Sequence, residues 1–250
     1  MLVTVRGIVV SLKDTGENDR ILKIITEDLG VISIYARGVR KLNGKNSSAA
    51  QLFAYARFCL NESGDRYYLE SSETICVFYD LRSDLKRLAL ASYLADVVKY
   101  AVMAGQPSSE TMQLLLNSLS FLSEGTRSCE LLKSVFEFRF ACCTGHMPRL
   151  MGCDECYAYE AEEMYFAFDE GRLYCGDHIS CCGSDHIRVS PVVLHTIRYI
   201  CLSEFKKIFY FDLKGKSLSE LSIISERYLL GVLHHEQGFG TLDFYRSMLE

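Results

Sequence analysis

No run of about eighteen apolar residues, the length a helix needs to cross a bilayer, occurs in the 250-residue chain. A membrane-spanning protein is therefore not expected. The start, Met1-Leu-Val-Thr-Val-Arg, lacks the basic residues, long apolar core and small-residue cleavage site of a secretory signal. A Walker-type phosphate loop is missing, so ATP hydrolysis has no visible machinery. No His-x-Glu precedes Cys153-x2-Cys156, as a zinc deaminase would require, and the Gly-x-Ser-x-Gly turn of the α/β hydrolases is absent. No catalytic residues are nominated, and the chain is not read as an enzyme. Internal repeats, low-complexity tracts and flexible linkers are lacking as well.

What is present is an apolar content of 49%, enough for real cores in one large domain or two to three small ones. The eleven cysteines are odd in number and scattered through apparent core positions such as Cys59, Cys76 and Cys201. That pattern suits free thiols in a reducing cytoplasm better than a disulfide framework. A net charge of −5 disfavours a protein that is basic all over, so the local distribution of charge has to decide whether nucleic acid is a partner.

From Leu2 to about Phe78 the signal is β. Leu2 to Leu12, Arg20 to Thr26, Gly30 to Arg37, Gln51 to Leu60 and Arg66 to Phe78 are each rich in β-branched or aromatic residues, with turn formers between them, including Lys41-Leu-Asn-Gly-Lys-Asn. Five short strands in this span predict a small barrel of OB type, which strand count alone does not separate from an SH3-like one. Beyond Asp80 the apolar period lengthens to that of helices. Ser83 is a candidate cap for a helix carrying Leu88, Ala91, Ala95, Val98 and Val102. Helices follow from Ser108, from Cys129 to Cys142, from Ser190-Pro191, from Ser219 to His234 and from Leu242 to Leu249. The fold class expected is α+β: an N-terminal five-stranded OB-type barrel over 1–80, then a helical domain over 81–250 interrupted by a small zinc-binding insertion at 150–187.

That insertion carries Cys153-x2-Cys156 and Cys175-x2-His178. Two such pairs aim four soft or borderline donors at one point, the pattern of a closed tetrahedral zinc shell that is structural and not catalytic. The alternative is a set of ordinary buried thiols, and Cys181, Cys182 and His186 compete as fourth ligand. Between Cys153 and His178 eight acids stand against the single base Arg172, so this loop should not grip phosphates. It reads as a clamp for the chain or a protein-binding lobe.

Positive charge gathers elsewhere. Arg37, Arg40, Lys41 and Lys45 occupy a connection between two strands with no acid among them. A flexible basic loop at a barrel rim can neutralise phosphates without a fixed base geometry, although a solvated hairpin has the same composition. A weaker basic run is Arg188, Arg198, Lys206, Lys207, Lys214 and Lys216. Tyr35, Tyr55, Tyr67 and Tyr68 are barrel residues first, and candidates for stacking on bases only where they face outward.

Together these pieces resemble the RecO family of bacterial recombination mediators. The resemblance runs through Arg6-Gly-Ile-Val-Val, Gly16-Glu-Asn-Asp-Arg-Ile-Leu and Thr26-Glu-Asp-Leu-Gly, and is most specific at Ala36-Arg37-Gly38-Val39-Arg40-Lys41. It continues through Leu81-Arg82-Ser83-Asp84-Leu85, Phe136-Glu-Phe-Arg139, the Cys and His pairs, and Phe239-Gly-Thr-Leu-Asp-Phe244. It implies a bacterial cytoplasmic protein, nucleoid-associated during repair, that binds single- and double-stranded DNA, anneals complementary strands and helps load RecA onto strands coated by single-strand-binding protein. RecR and that coating protein are the implied partners, with RecA filaments met indirectly. Arg37, Arg40 and Lys41 match the family's basic positions, whereas Lys45 lies in a more variable continuation. The competing reading is a zinc-stabilised protein-interaction adaptor with little DNA binding of its own.

Overall fold

A computed structural model describes residues 1–41 and 44–249. Leu42 and Asn43, inside the basic connection, lie outside the described residues. By contact density the chain divides into two units: Met1–Thr126 together with the segment from Phe239 onward, and Arg127–Gly238.

The first unit is built on five strands, β1 (Leu2–Thr15), β2 (Asp19–Thr26), β3 (Val31–Ala36), β4 (Ala54–Ser63) and β5 (Arg66–Val77). They close into a barrel in the order β1-β2-β3-β5-β4, with β1 returning to pair with β4. All neighbours are antiparallel except β3 and β5, which run parallel at Ile34↔Tyr67 and Tyr35↔Tyr68. Five strands closed in this order form the OB-like barrel that the sequence predicts. Alternation explains the core: along β3, Ile32, Ile34 and Ala36 are buried while Ser33 is exposed. With Val5, Val9, Leu22, Ile24, Phe58 and Leu60 they fill the interior.

On β1 the alternation fails, and Ile8, Val9 and Val10 are all buried. Two helices cause this, α1 (Leu85–Ala101) and α2 (Ser109–Glu124), because both pack on the outer side of β1. A strand covered on both faces reads as a continuous apolar run. The cap of α1 is Asp84, whose carboxylate accepts from the Arg87 N–H at 3.1 Å. Ser83, the residue expected there, belongs to a preceding 3-10 turn and donates to the Asp80 carbonyl at 2.6 Å. At the start of α2 the Ser108 hydroxyl is likewise diverted, donating to the Thr26 carbonyl at 2.7 Å.

The second unit contains α3 (Cys129–Cys143), four short strands, β6 (Arg149–Cys153), β7 (Met164–Ala167), β8 (Arg172–Cys175) and β9 (His186–Val189), then α4 (Pro191–Leu202) and α5 (Gly215–Val232). The strands form one sheet in the order β6-β8-β7-β9. Ser128 caps α3 by accepting from the Leu131 N–H at 3.1 Å. Pro191 occupies the first position of α4, where its missing N–H costs nothing. Ser190 before it is held by Glu220 of α5 through its N–H at 2.7 Å and its hydroxyl at 2.9 Å. The last helix, α6 (Gly240–Ser247), belongs to the first unit and packs on α1, where the Thr241 hydroxyl donates to Asp96 at 2.8 Å. Among the described residues no helix is long and apolar enough to cross a membrane.

Candidate nucleic-acid interface and metal centre

The four basic residues nominated from the sequence sit in the long connection from β3 to β4. Arg37, Arg40, Lys41 and Lys45 are all exposed. The connection is folded back on itself: the Gly38 N–H donates to Asp19 at 2.7 Å, the Arg40 N–H to the Asn18 carbonyl at 3.0 Å and the Lys41 N–H to the Gly38 carbonyl at 3.2 Å. Val39, buried in the barrel core, pins it from below. Cationic side chains are thus presented on a fixed backbone.

Arg40 is partly neutralised by Asp14 at 3.4 Å. Asp14 in turn is held below the usual carboxylate range, chiefly by the Arg20 hydrogen bond at 2.7 Å. Among the described residues, Lys41 and Lys45 have no acidic partner. A groove of about 500 Å³ runs beside them, lined by Arg20, Val39, Arg40, Lys41, Gln51 and Arg82 among others. Arg82 donates to Gln51 at 2.9 Å and lies 5.4 Å over the Tyr79 ring. Two arginines that the sequence reading left out therefore join two that it nominated. No local signal marks them, since Arg20 sits in a strand beside Asp19 and Arg82 in a turn with Asp80 and Asp84 each two residues away.

Four of the six residues of the weaker basic run are engaged elsewhere. Arg188 pairs with Glu163 at 3.0 Å, Lys207 with Glu204 at 3.2 Å and Lys214 with Asp212 at 2.9 Å. Arg198 is buried. It donates to the carbonyls of Leu150 at 2.8 Å and Tyr159 at 2.7 Å, and its guanidinium lies 3.8 Å from the centre of the Tyr159 ring. From α4 it ties down both ends of the turn that holds the first cysteine pair.

Cys153, Cys156, Cys175 and His178 converge. Their ligand atoms all lie within 4.8 Å of one another. Cys153 ends β6 and Cys175 ends β8, and these strands are neighbours in the sheet, so the pairing brings the two halves of the cluster together. The turn after Cys153 is tight: the Tyr157 N–H donates to the Cys153 carbonyl and the Cys153 N–H to the Ala158 carbonyl, both at 2.9 Å, and Tyr157 takes a φ of 61°. Gly152 is required here, because a Cβ would lie 2.8 Å from the Tyr157 carbonyl oxygen. Among the described residues Cys181 and Cys182 do not join the cluster, and His186 directs Nδ1 to the Gly183 carbonyl at 2.7 Å.

These dimensions fit a tetrahedral zinc ion. Sulfur at about 2.3 Å from such an ion places the corners of the shell about 3.8 Å apart, and Cys156 Sγ lies 3.8 Å from Cys175 Sγ. The His178 Nδ1 is 3.2 Å from Cys175 Sγ. Burial alone would push the Cys153 thiol up, but hydrogen bonds from the backbone of Cys156, Cys175 and Glu155 and from the Cys156 thiol outweigh it and bring it to about 7. The Cys175 thiol is pushed up by burial and by the hydrogen bonds it shares with Cys153 and Cys156. Of the surrounding acids, Asp154 is paired with Arg172 at 2.7 Å and Glu163 with Arg188.

Comparison with known proteins matches both parts of the chain. The family model described as "Recombination protein O N terminal" matches residues 1–78, and "Recombination protein O C terminal" matches residues 82–237. A protein of Acetivibrio thermocellus named DNA repair protein RecO is 34% identical over 245 residues, covering 97% of this chain and 95% of that protein. Proteins of the same name from Pelotomaculum thermopropionicum and Dehalococcoides mccartyi are 32% and 30% identical over 223 and 233 residues. They cover 89% and 92% of this chain, and 86% and 90% of their own lengths.

Proposed function

The chain belongs to the RecO family, and from that premise we propose that it is a DNA repair protein that binds single- and double-stranded DNA, anneals complementary strands and helps load RecA where single-strand-binding protein coats the DNA. The observation that carries this reading is the convergence of Arg20, Arg40, Lys41 and Arg82 on one groove beside the exposed Arg37 and Lys45. Annealing makes and breaks no covalent bond. Its barrier is repulsion between two phosphate backbones, and a compact set of cations on a rigid barrel rim lowers it without selecting a sequence.

In this scheme residues 1–80 hold the DNA, and the remainder, with the metal lobe at 150–187, serves the partners RecR and single-strand-binding protein. Zinc held by Cys153, Cys156, Cys175 and His178 would cross-link the turn after β6 to the turn after β8, which is a structural task. Four thiolate and imidazole donors leave no coordination position for a water or substrate.

The test is anisotropy of a labelled single strand titrated with the full chain over a salt series. If about four phosphates are neutralised, log affinity falls against log salt with a slope near −3. The Arg37→Ala/Arg40→Ala/Lys41→Ala variant is expected to bind more weakly, with a slope reduced to about −1, and to lose annealing. A protein-interaction adaptor would instead show salt-independent or negligible binding, unchanged in the triple variant.

A further inference from the structure

The outer face of the β3–β5 pair carries a row of four side chains to which the reading above gives no joint task. Tyr35 and Tyr68 are direct partners across the parallel pair, and their rings stack with centroids 5.4 Å apart at 30°. The Arg37 guanidinium lies 5.5 Å over the Tyr68 ring, and the Arg66 guanidinium 5.9 Å over the Tyr35 ring. Both arginines are exposed and both tyrosines half-buried. Alternation sets the direction, since Ile34 and Ala36 point into the barrel and Tyr35 between them must point out. Tyr67 obeys the opposite phase: it packs against the barrel core, and burial followed by its contact with Glu62 pushes its phenol up.

We propose that Tyr35 and Tyr68 form a stacking platform for the bases of single-stranded DNA, with Arg37 and Arg66 taking the phosphates on either side of the stacked bases. The proposal rests on the DNA-binding reading above and deepens it. The two rings and two guanidiniums already form a short ladder of flat groups in contact with water. A base has the same flat π-surface and can take a guanidinium's place on a ring. An exposed cation–π contact is the weaker of the two interactions, and base–aromatic stacking the stronger, so the exchange is favourable. Each arginine is on a long flexible stem and reaches a flanking phosphate whether or not a base takes the place it leaves on the ring. Arg37 is also the first cation of the basic connection, so a strand seated on Tyr68 meets that connection without a gap. Duplex DNA hides its base faces and cannot use the platform, which assigns the ladder to single strands.

The experiment compares two labelled strands of about fifteen nucleotides, a span within reach of one such barrel, one of thymidylate and one carrying abasic sites throughout. Each is titrated with the full chain over a salt series. The thymidylate strand is expected to bind about tenfold more tightly than the abasic strand at every salt concentration, with the same salt slope for both. Tyr35→Ala/Tyr68→Ala should bring thymidylate down to the abasic level without changing the slope, while Tyr35→Phe/Tyr68→Phe keeps the difference. Equal affinity of the unsubstituted protein for the two strands overturns the platform and leaves the phosphate reading standing. Absence of salt-dependent binding to either strand removes the phosphate reading and the platform with it. Because the strand comparison is made on the unsubstituted protein, it decides the matter even where the alanine variant does not fold.

Discussion

Lys133 Nζ of α3 lies 3.0 Å from Glu137 Oε2, one turn further along the same helix, with both side chains almost fully buried. The ammonium also reaches Glu226 of α5 at 2.9 Å, and the Ser225 hydroxyl donates to Glu137 at 2.6 Å. A buried lysine and carboxylate thus lock α3 to α5 at the centre of the second unit.

Removing one partner strands the other charge in the interior, which typically costs about 3–5 kcal/mol. Lys133→Met is therefore expected to lower the unfolding free energy of the second unit by that amount in urea titrations. Replacing the whole set, Lys133→Met with Glu137→Met and Glu226→Gln, should recover most of the loss, because the stranded charges leave with it. Equal stability of the single and multiple variants would falsify this account of the network.

The barrel was legible because its signals are local. Five runs rich in β-branched and aromatic residues, separated by turn formers, gave five strands, within about three residues at most ends, and the resemblance to RecO agreed with the OB-like strand order. Three helix starts were legible to the residue: Ser108 and Ser190 stand at the cap positions of α2 and α4, and Cys129 opens α3, although the Ser108 and Ser190 hydroxyls go to Thr26 and Glu220 and not to the first turn. Of the serines expected as caps Ser83 alone was misplaced, because Asp84 takes the cap of α1. The four strands of the second unit escaped notice because each is short, and the cysteine spacing dominated the reading. Spacing did nominate the four residues whose ligand atoms converge. It could not choose them over Cys181, Cys182 and His186, since that choice is made by the pairing of β6 with β8. Arg20 and Arg82 were missed for a related reason: they meet Arg40 and Lys41 only once the barrel closes.

Metal analysis of the purified protein is expected to give about one zinc per chain, and Cys156→Ser or Cys175→Ser to abolish it. Structural zinc contributes on the order of 10–16 kcal/mol in isolated finger peptides, so its loss should expose residues 149–189 to limited proteolysis. The salt slope for single-stranded DNA should remain that of the unsubstituted protein, because the cations of the groove all belong to the other unit. Metal-free protein that resists protease as the loaded form does would remove the structural role.

Gly30, at the turn from β2 to β3, combines a φ of +65° with a backbone neighbour that leaves no space: a Cβ would lie 1.9 Å from the Met103 carbonyl oxygen. That proximity comes from the docking of the connection between α1 and α2, where the Gly105 N–H donates to the Leu29 carbonyl at 2.9 Å and Ser108 to Thr26. Gly30→Ala adds about 1–2 kcal/mol of left-handed strain and should also displace that connection, at about 1 kcal/mol for each hydrogen bond lost. A total near 3 kcal/mol is expected for the first unit. Gly64→Ala is the control, since Gly64 has a φ of +57° with nothing within 4 Å of the added Cβ. It should show the strain alone, so chemical denaturation of the two variants separates conformation from collision, and equal losses would mean that the connection does not hold this turn.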